Sequence, residues 1–449
     1  MWLQEIFSKL AEKINSSSRL GFLILVSLTT ALAATVYFLS RPGFMYHDSF
    51  AIFAIARGDF SDDWVPPAAG FIWRAILKIW NDPEAILAFQ IISFYLVVLL
   101  YSRLMFERLR TQIIFMVAVG AHPFVFVYLI MLTKESLLAT LMFAAATLYW
   151  ASLKYNRAIL TALTVLALLL CTLIRWEAII AVIPFSLLLF QNLLPARKWA
   201  ARVLITLVFA IAPIAFNHFT TDSASHPERQ IYVIDLADVS AIASEVLFSE
   251  IPADQHQEAL KFLSNDYLLG DIISLRQGGF FDSYKIRIGA EHHFKDWVNA
   301  IKKHPYAYLK SRWISFRRLE AFNTVRACFP FYRGVAPNDF GIRAPVREAY
   351  SYTKYFFEIT ESSFLFRAWA FFWFALVATL YMRAFDQRRK KFYLVVLSSA
   401  IVYQGAYFFI ATTCSPRLIY WSIFAQWLVL ISTVALILEQ RATKTQAIN

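Results

Sequence analysis

The residues of this chain that could do chemistry are charged side chains at four separate places in a very apolar sequence. The first is Asp48, eight residues past an apolar run that ends at Ser40. Asp62 and Asp63 follow in the same cluster, and the other three places are, in chain order, Lys134 with Glu135, Arg175 with Glu177, and Arg417. Carboxylates this close to the end of a membrane span are costly to desolvate, so they often mark a functional site.

This mixture of charges suits a reaction that has an anionic leaving group and a nucleophile that must lose a proton. Asp48 is the candidate general base, a role that typically accelerates a reaction about 10²–10⁴-fold. The candidate phosphate-binding residues are Arg417, Lys134 and Arg175, and the candidate acceptor- or metal-binding residues are Asp62, Asp63 and Glu135. Oxygen ligands suit Mg²⁺ or Mn²⁺, but cationic side chains could replace a metal, so the cofactor stays open.

Ordinary structural explanations remain open for the same residues. Asp48 could cap a helix, and Glu135 could do so at the start of another. Lys134 could extend its ammonium group to the membrane interface. Arg175 and Glu177 could form a local ion pair, and Asp59, near the first cluster, is more typical of a solvated loop.

The composition indicates a membrane protein with many spans. Of 449 residues, 59% are hydrophobic, 17% are aromatic and only 16% are charged, which is too apolar for an ordinary soluble domain. The net charge of +12 is explained by basic turns that set orientation, and no nucleic-acid motif accompanies it. Three cysteines, Cys171, Cys328 and Cys414, make no metal spacing. Unpaired thiols are the simpler expectation, although Cys328 and Cys414 could pair.

A span needs about 20 apolar residues, and the hydropathy of the chain predicts about ten. They lie at 20–40, 84–102, 113–131, 136–153, 158–174, 177–194, 203–219, 364–383, 392–413 and 418–439. Lysine and arginine concentrate in alternate turns, which places both termini in the cytoplasm by the positive-inside rule. The protein is therefore predicted to be a multi-pass protein of the cytoplasmic membrane, with Asp48 outside.

The same pattern predicts three parts, in an all-α polytopic fold. They are an N-terminal transmembrane module (1–219) with its first outer loop (40–83), a mainly helical extracytoplasmic domain (220–363) and a C-terminal transmembrane module (364–449). Residues 71–80 of the first loop predict an amphipathic helix, lying in the membrane interface or packed on the protein itself. In the outer domain Pro305 begins a helix on which Tyr306, Leu309, Trp313 and Phe316 form an apolar stripe.

Short motifs resemble those of the GT-C superfamily of membrane glycosyltransferases. The motifs are Tyr46-His-Asp-Ser49, Gly58-Asp-Phe-Ser-Asp-Asp-Trp-Val-Pro-Pro67, Thr133-Lys-Glu-Ser-Leu137, His304-Pro-Tyr-Ala-Tyr-Leu-Lys-Ser-Arg312 and Ser415-Pro-Arg417. Similar enzymes are bacterial O-antigen glucosyltransferases, protein mannosyltransferases and the lipid A aminoarabinose transferase. The resemblance implies a GT-C fold and a polyprenyl-phosphate sugar as donor, with Asp48 as catalytic base. Val65 stands where many members have histidine, and Glu135 where they have aspartate.

The sequence thus predicts an inverting transferase that moves a sugar to a hydroxyl of a cell-envelope glycan, lipid or protein. Two alternatives are kept. An O-antigen polymerase or ligase would use a lipid-diphosphate-linked glycan, and a flippase or transporter would move a lipid-linked sugar without chemistry. The sugar, the acceptor and the oligomeric state leave no mark in the sequence.

Overall fold

The computed structural model describes residues 19–59, 65–193, 199–221, 229–265, 267–288, 290–322, 334–346, 348–360, 363–382 and 385–448. Within these ranges the regular structure is helical apart from two isolated β-bridges. The predicted all-α class is therefore confirmed. Asp62, Asp63 and Cys328 lie outside the described residues.

The described α-helices are numbered in chain order. They are α1 (Arg19–Ser40), α2 (His47–Arg57), α3 (Pro67–Leu77), α4 (Pro83–Met105), α5 (Leu109–Gly120), α6 (Pro123–Ile130), α7 (Lys134–Tyr155), α8 (Ala158–Ile174), α9 (Ala178–Leu193), α10 (Trp199–Thr220), α11 (Gln230–Ala243), α12 (His256–Asn265), α13 (Ile272–Gln277), α14 (Phe280–Ser283), α15 (His292–Lys303), α16 (Pro305–Leu319), α17 (Glu348–Thr360), α18 (Ala368–Tyr381), α19 (Gln387–Ile410) and α20 (Tyr420–Ile448). Short 3₁₀ turns cover Ala253–Gln255, Phe364–Phe366 and Pro416–Ile419.

Several of these helices are long and apolar enough to cross a membrane, which makes this a multi-pass membrane protein. Five such spans lie in the described residues: α1, α4, α7, α19 and the stretch Pro416–Thr443. A sixth candidate is the pair α5 and α6, bent by 58°, where the sequence predicted one straight span at 113–131. The bend falls where Pro123 starts a new helix, because proline cannot donate the hydrogen bond that would continue α5.

The count of ten predicted spans is not confirmed. Helices α8 and α18 have 17 and 14 residues, fewer than the roughly 20 that a full crossing needs. In α9 and α10 the side chains are described without a break only over Ala178–Leu187 and Thr206–Thr220. They pack on the longer helices; α8 lies against α7, α9 against α19, and α18 against α20. Their burial supports the helical bundle without showing that each one crosses the bilayer.

A second hydrophobic core belongs to the segment between the N-terminal and C-terminal spans. It is formed by buried side chains between Val233 and Ala307, on helices α11 to α16 and their connections. Pro305 begins α16 as predicted, but the predicted stripe does not face this core. Tyr306, Leu309 and Trp313 are at least half exposed, whereas the opposite face, with Arg312, is buried.

Helix α3, predicted as an amphipathic helix over 71–80, runs from Pro67 to Leu77 and packs on α2. A Cβ on Gly70 would come within 2.4 Å of the Ile55 Cγ2 atom, so only glycine permits this contact. Arg74 donates hydrogen bonds to the backbone oxygens of Ile55 and Ala56, at 2.5 and 3.2 Å. Helix α3 therefore packs on the protein itself, which is one of the two placements that the sequence allowed.

The extended segment between α1 and α2 is held on two sides. The amide of Phe44 donates to the Ile130 oxygen at 2.9 Å and its own oxygen accepts from the Leu132 amide at 3.0 Å. The amide of the next residue, Met45, donates to the Gly334 oxygen at 2.9 Å, and the Met45 oxygen accepts from the Ala336 amide at 2.9 Å. These bridges fix the start of α2 beside the start of α7, and so position the residues that these two helices carry.

Candidate active site

A cavity of about 470 Å³ lies where the first loop, the span ends and the outer domain meet. The charged residues that line it are Asp48, Lys134, Glu135, Arg175, Glu177, Arg276 and Arg417, with His47 beside them. The sequence-predicted residues Asp48, Lys134, Glu135, Arg175 and Arg417 are therefore brought together. The volume is within the range of small-molecule sites.

Asp48 lies in the first turn of α2 and pairs with the arginine that precedes α20. Its Oδ2 is 3.0 Å from the Arg417 Nη2 atom and accepts a hydrogen bond from the Tyr46 hydroxyl at 2.9 Å. The Arg417 guanidinium also lies over the Tyr46 ring, with Cζ 4.1 Å from its centroid. Asp48 keeps 29% of its side chain exposed, which leaves it accessible from the cavity.

The Asp48 carboxylate is partly buried and is surrounded by cations. Burial raises the pKa of the Asp48 carboxyl above its ordinary value, and the charges of Lys134, Arg175 and Arg276 oppose that rise. Burial conversely lowers the pKa of Arg276, and the charge of Asp48 opposes it. The carboxylate and these cations therefore share one electrostatic environment.

Lys134 and Glu135 occupy the first turn of α7, which Thr133 caps by accepting from the Ser136 amide at 3.2 Å. The Lys134 ammonium group makes no hydrogen bond or ion pair with any other residue that the structure describes. Its position at a helix N-terminus adds to the positive potential of this end of the cavity. Together these features make it available to an anion.

Arg175 is held between two carboxylates. Its Nη1 is 2.8 Å from the Glu135 Oε1 atom, and its Nε is 3.2 Å from the Glu177 Oε2 atom. The side chains of Arg175 and Glu135 are 5% and 3% exposed, so the pair forms part of the cavity wall. Arg175 therefore forms the local ion pair with Glu177 that the sequence allowed, and it forms a second ion pair with Glu135, which is distant in the sequence.

The outer domain fixes the loop that carries Arg417. Arg312 donates through Nη1 to the backbone oxygens of Phe409 and Ala411, at 3.3 and 3.0 Å. The next carbonyl, that of Thr412, accepts from the Ile272 amide at 3.2 Å. The end of α19 is therefore tied to the outer domain immediately before the turn to Arg417. Cys414, in the same loop, is disulfide-bonded, contrary to the expected free thiol; Cys171 is free and buried.

Arg276 and Tyr46 are site residues that the sequence did not identify. Arg276 lies in the last turn of the six-residue helix α13, and nothing in the local sequence separates it from an ordinary surface arginine. Tyr46 belongs to the motif Tyr46-His-Asp-Ser49, in which the sequence indicated Asp48 as the candidate site residue. Their roles follow from contacts between distant segments, which spacing along the chain does not encode.

The cavity also has an apolar side, formed by residues of the outer domain and of the loop before α20. Ile231, Ile272, Ile273, Ile410 and Leu418 line it. Its described carboxylates, Asp48, Glu135 and Glu177, each pair with an arginine. Among its described residues the cavity lining therefore carries four cationic side chains, Lys134, Arg175, Arg276 and Arg417, against three carboxylates.

Fold and site together define a multi-pass helical membrane protein with a charged cavity at one end of its spans. No protein-family model matches the chain, and no curated protein matches it. Among solved structures it is similar to the archaeal oligosaccharyltransferase AglB from Archaeoglobus fulgidus, solved in complex with an inhibitory peptide and a dolichol-phosphate. The sequence identity is 14% and the TM-score 0.42, over 96% of this chain and 52% of that one. The chain thus spans about half the length of the archaeal protein, and the roles of its residues are assigned from its own geometry.

Proposed function

We propose that the protein is an inverting glycosyltransferase that moves a sugar from a polyprenyl-phosphate donor to an acceptor hydroxyl at the outer face of the cytoplasmic membrane. The acceptor would be a cell-envelope glycan, a lipid or a protein. The observation that carries the proposal is the contact of Asp48 with Arg417 at 3.0 Å on the cavity wall. A group able to take a proton thus lies beside a group able to hold a phosphate.

The donor phosphate is assigned to the cations around Asp48. Arg417 provides a planar guanidinium that matches phosphate geometry, and Lys134 provides a point charge. Arg276 reaches the same cavity from the outer domain. Arg175, already between Glu135 and Glu177, adds positive potential and holds the wall in place.

The lipid tail of the donor is assigned to the apolar side of the cavity. Isoleucine and leucine side chains there belong to the outer domain and to the loop before α20. An apolar chain gains free energy by leaving water for such a surface. A ligand with a phosphate beside a long apolar chain fits both the cationic side and the apolar side of the cavity. A free sugar phosphate fits only the cationic side.

Asp48 is assigned as the general base. Both of its contacts within the described residues use Oδ2, so Oδ1 is the oxygen that accepts the proton of the acceptor hydroxyl. The acceptor oxygen then forms a bond to the anomeric carbon, and the bond from that carbon to the phosphate oxygen breaks. Polyprenyl phosphate leaves with the electron pair, and attack opposite the leaving group inverts the configuration.

The direct test replaces Asp48 by Asn and measures transfer from a radiolabelled polyprenyl-phosphate sugar in membranes. Loss of a general base lowers the rate by at least about 10²-fold. Asp59→Asn is the matched control, because Asp59 is exposed and lies outside the cavity lining. Full transfer by correctly inserted Asp48→Asn protein would remove Asp48 from the mechanism.

The same assay separates the alternatives. A polymerase or ligase would use a lipid-diphosphate-linked glycan, so both donor types are supplied in parallel. Such an enzyme would depend on the outer-domain arginine Arg276 more than on Asp48, which a comparison of Arg276→Ala with Asp48→Asn measures. A transporter would move labelled lipid-linked sugar across vesicles without any transfer product.

In this proposal cationic side chains neutralise the phosphate, so transfer persists after treatment with EDTA. The competing possibility is a Mg²⁺ or Mn²⁺ ion bound by Asp62, Asp63 and Glu135. Activity that EDTA abolishes and added Mg²⁺ or Mn²⁺ restores would favour the metal.

A further inference from the structure

Three side chains of the outer domain form a cluster that the proposed transfer reaction does not use. Glu250 lies between α11 and α12, and His292 and His293 are the first two residues of α15. One ligand-capable atom from each lies within 4.8 Å of the other two, and no other such group of three or more occurs among the described residues. None of the three lines the cavity of Asp48.

Each member of the cluster has a buried polar atom that makes no hydrogen bond. These atoms are Glu250 Oε2, His292 Nε2 and His293 Nδ1. His292 Nε2 lies 2.6 Å from Glu250 Oε1, yet this contact is not aligned as a hydrogen bond. Buried polar atoms are normally satisfied, so the two atoms that no close contact within the cluster satisfies, Glu250 Oε2 and His293 Nδ1, call for a partner.

The tautomer of His293 is consistent with a metal ligand. Its Nε2 lies 3.1 Å from the backbone oxygen of Arg287 and 3.6 Å from the Glu250 Oε2 atom, and since a carbonyl only accepts, Nε2 carries the proton. Nδ1 then has a free lone pair.

We propose that Glu250, His292 and His293 bind a Zn²⁺ ion. Two imidazole nitrogens and one carboxylate oxygen are a donor set that zinc uses, with bonds of about 2.0–2.2 Å. Glu250, whose side chain is 22% exposed, has room to complete the geometry, and a water takes the fourth position. The ion ties the segment before α12 to the start of α15, next to the hydrogen bond from Ser249 Oγ to Asp296 Oδ2 at 2.6 Å.

The test uses the full-length protein in detergent, purified with a tag that contains no histidine. After removal of metal with a chelator, the protein is titrated with ZnCl₂, and bound zinc and the thermal midpoint are measured. Wild-type protein takes up one zinc per chain and its midpoint rises, because an ion that binds only the folded state stabilises it. Glu250→Gln and His292→Asn bind zinc at least about tenfold more weakly, since one of three protein ligands is lost.

The matched control is His304→Asn. His304 belongs to the same domain and also pairs with a glutamate, its Nε2 lying 3.1 Å from the Glu245 Oε2 atom, but among the described residues no second histidine joins this pair in a group of three ligands. This variant binds zinc as wild type does. Absence of zinc uptake by wild-type protein, or equal uptake by all the variants, would overturn the proposal. His293→Asn is avoided because His293 is fully buried, and the result is independent of whether the protein transfers sugars.

Discussion

In the proposed reaction Asp48 has to be charged to accept a proton, although it lies in a place that disfavours charge. Burial raises its pKa, and the positive charges nearby, first among them that of Lys134, counteract the rise. The same cations are those assigned to the donor phosphate. In this proposal the cations that bind the phosphate also set the pKa of Asp48. Removing one of them should therefore change the pH dependence of transfer.

Replacing Lys134 by Gln should move the acid limb of the pH profile of kcat/KM to higher pH. Lys134 lowers the pKa of Asp48, so removing its charge lets that pKa rise, and protonation then disables the base at a higher pH. Transfer falls most at acid pH. Profiles of wild-type and variant membranes, measured at saturating acceptor, give the shift directly.

The control for this experiment is Lys154→Gln, at the other end of α7. Lys154 is exposed, and its ammonium group donates to the Leu104 oxygen at 2.9 Å. Its removal should leave the acid limb unchanged. A Lys134→Gln profile that coincides with that of wild type would show that Lys134 does not tune Asp48.

At the scale of single residues, the sequence identified candidate site residues from the positions at which the predicted spans end. Asp48, Lys134 and Arg417 were predictable because charge is expensive at the rim of a bilayer. It could not show that Arg175 bonds to Glu135, a residue forty positions earlier, or that Arg276 belongs to the cavity. Both facts depend on tertiary packing that no local pattern records.

Among the elements, α16 has the largest consequence for the site. Its Arg312 is fully buried, and its Nη2 lies 2.6 Å from Asp235 Oδ1 on α11. Asp238, also on α11, accepts from the Tyr267 hydroxyl at 2.6 Å. Because Arg312 also bonds the end of α19, this helix joins the outer domain to the loop of Arg417.

Arg312→Met should destabilise the outer domain by about 3–5 kcal/mol, the usual cost of leaving a buried carboxylate without its partner. Trp297 reports on this region, since its indole nitrogen donates to Asp235 Oδ2 at 2.8 Å. Unfolding in urea, followed by tryptophan fluorescence in detergent, measures the change.

Lys310→Met is the matched control, because Lys310 is exposed on the same helix and should change stability by less than about 0.5 kcal/mol. Adding Asp235→Asn to Arg312→Met should recover part of the loss by removing one stranded charge. Equal stability of wild type and Arg312→Met would contradict the assigned role.

Helix α16 also shows why the spacing of apolar residues assigned the wrong face of the helix to the core. The interval between Tyr306, Leu309 and Trp313 correctly indicated a helix. The buried side is nevertheless the one with Ser311, Arg312 and Ser315, because a charged group can occupy a core when it is paired with an opposite charge and hydrogen-bonded. A hydrophobicity pattern has no means of recognising such a network.

For the whole molecule, the orientation inferred from basic turns can be tested with single cysteines. Ser264 is exposed on α12 of the outer domain, and Lys154 is exposed at the far end of α7. A membrane-impermeant maleimide should label Ser264→Cys in intact cells and Lys154→Cys only after permeabilisation. Native background should be low, since Cys171 is buried and Cys414 is disulfide-bonded.

The reverse labelling pattern would place the outer domain and its cavity in the cytoplasm. It would also rule out an outer-face transferase. Labelling of both cysteines in intact cells would indicate leaky cells, which a cytoplasmic marker protein monitors.

Composition alone was enough to predict an all-helical membrane protein, because apolar runs of this length have few other uses. The number of crossings was not predictable in the same way. Helices such as α8 and α18 are apolar but short, and hydropathy does not separate a crossing helix from one buried inside the bundle. The break between α5 and α6 likewise needed the geometry around Pro123.

The two bridges that hold Phe44 and Met45 have a consequence for biosynthesis. One bridge uses residues near 131 and the other uses residues near 335, and the partner of Asp48 comes later still, at Arg417. The ribosome therefore releases the first loop long before the segments that dock against it exist. A nascent chain can be threaded into the bilayer with the Asp48 carboxylate still unplaced, and the pair of Asp48 with Arg417 forms only when the helix that follows Arg417 arrives.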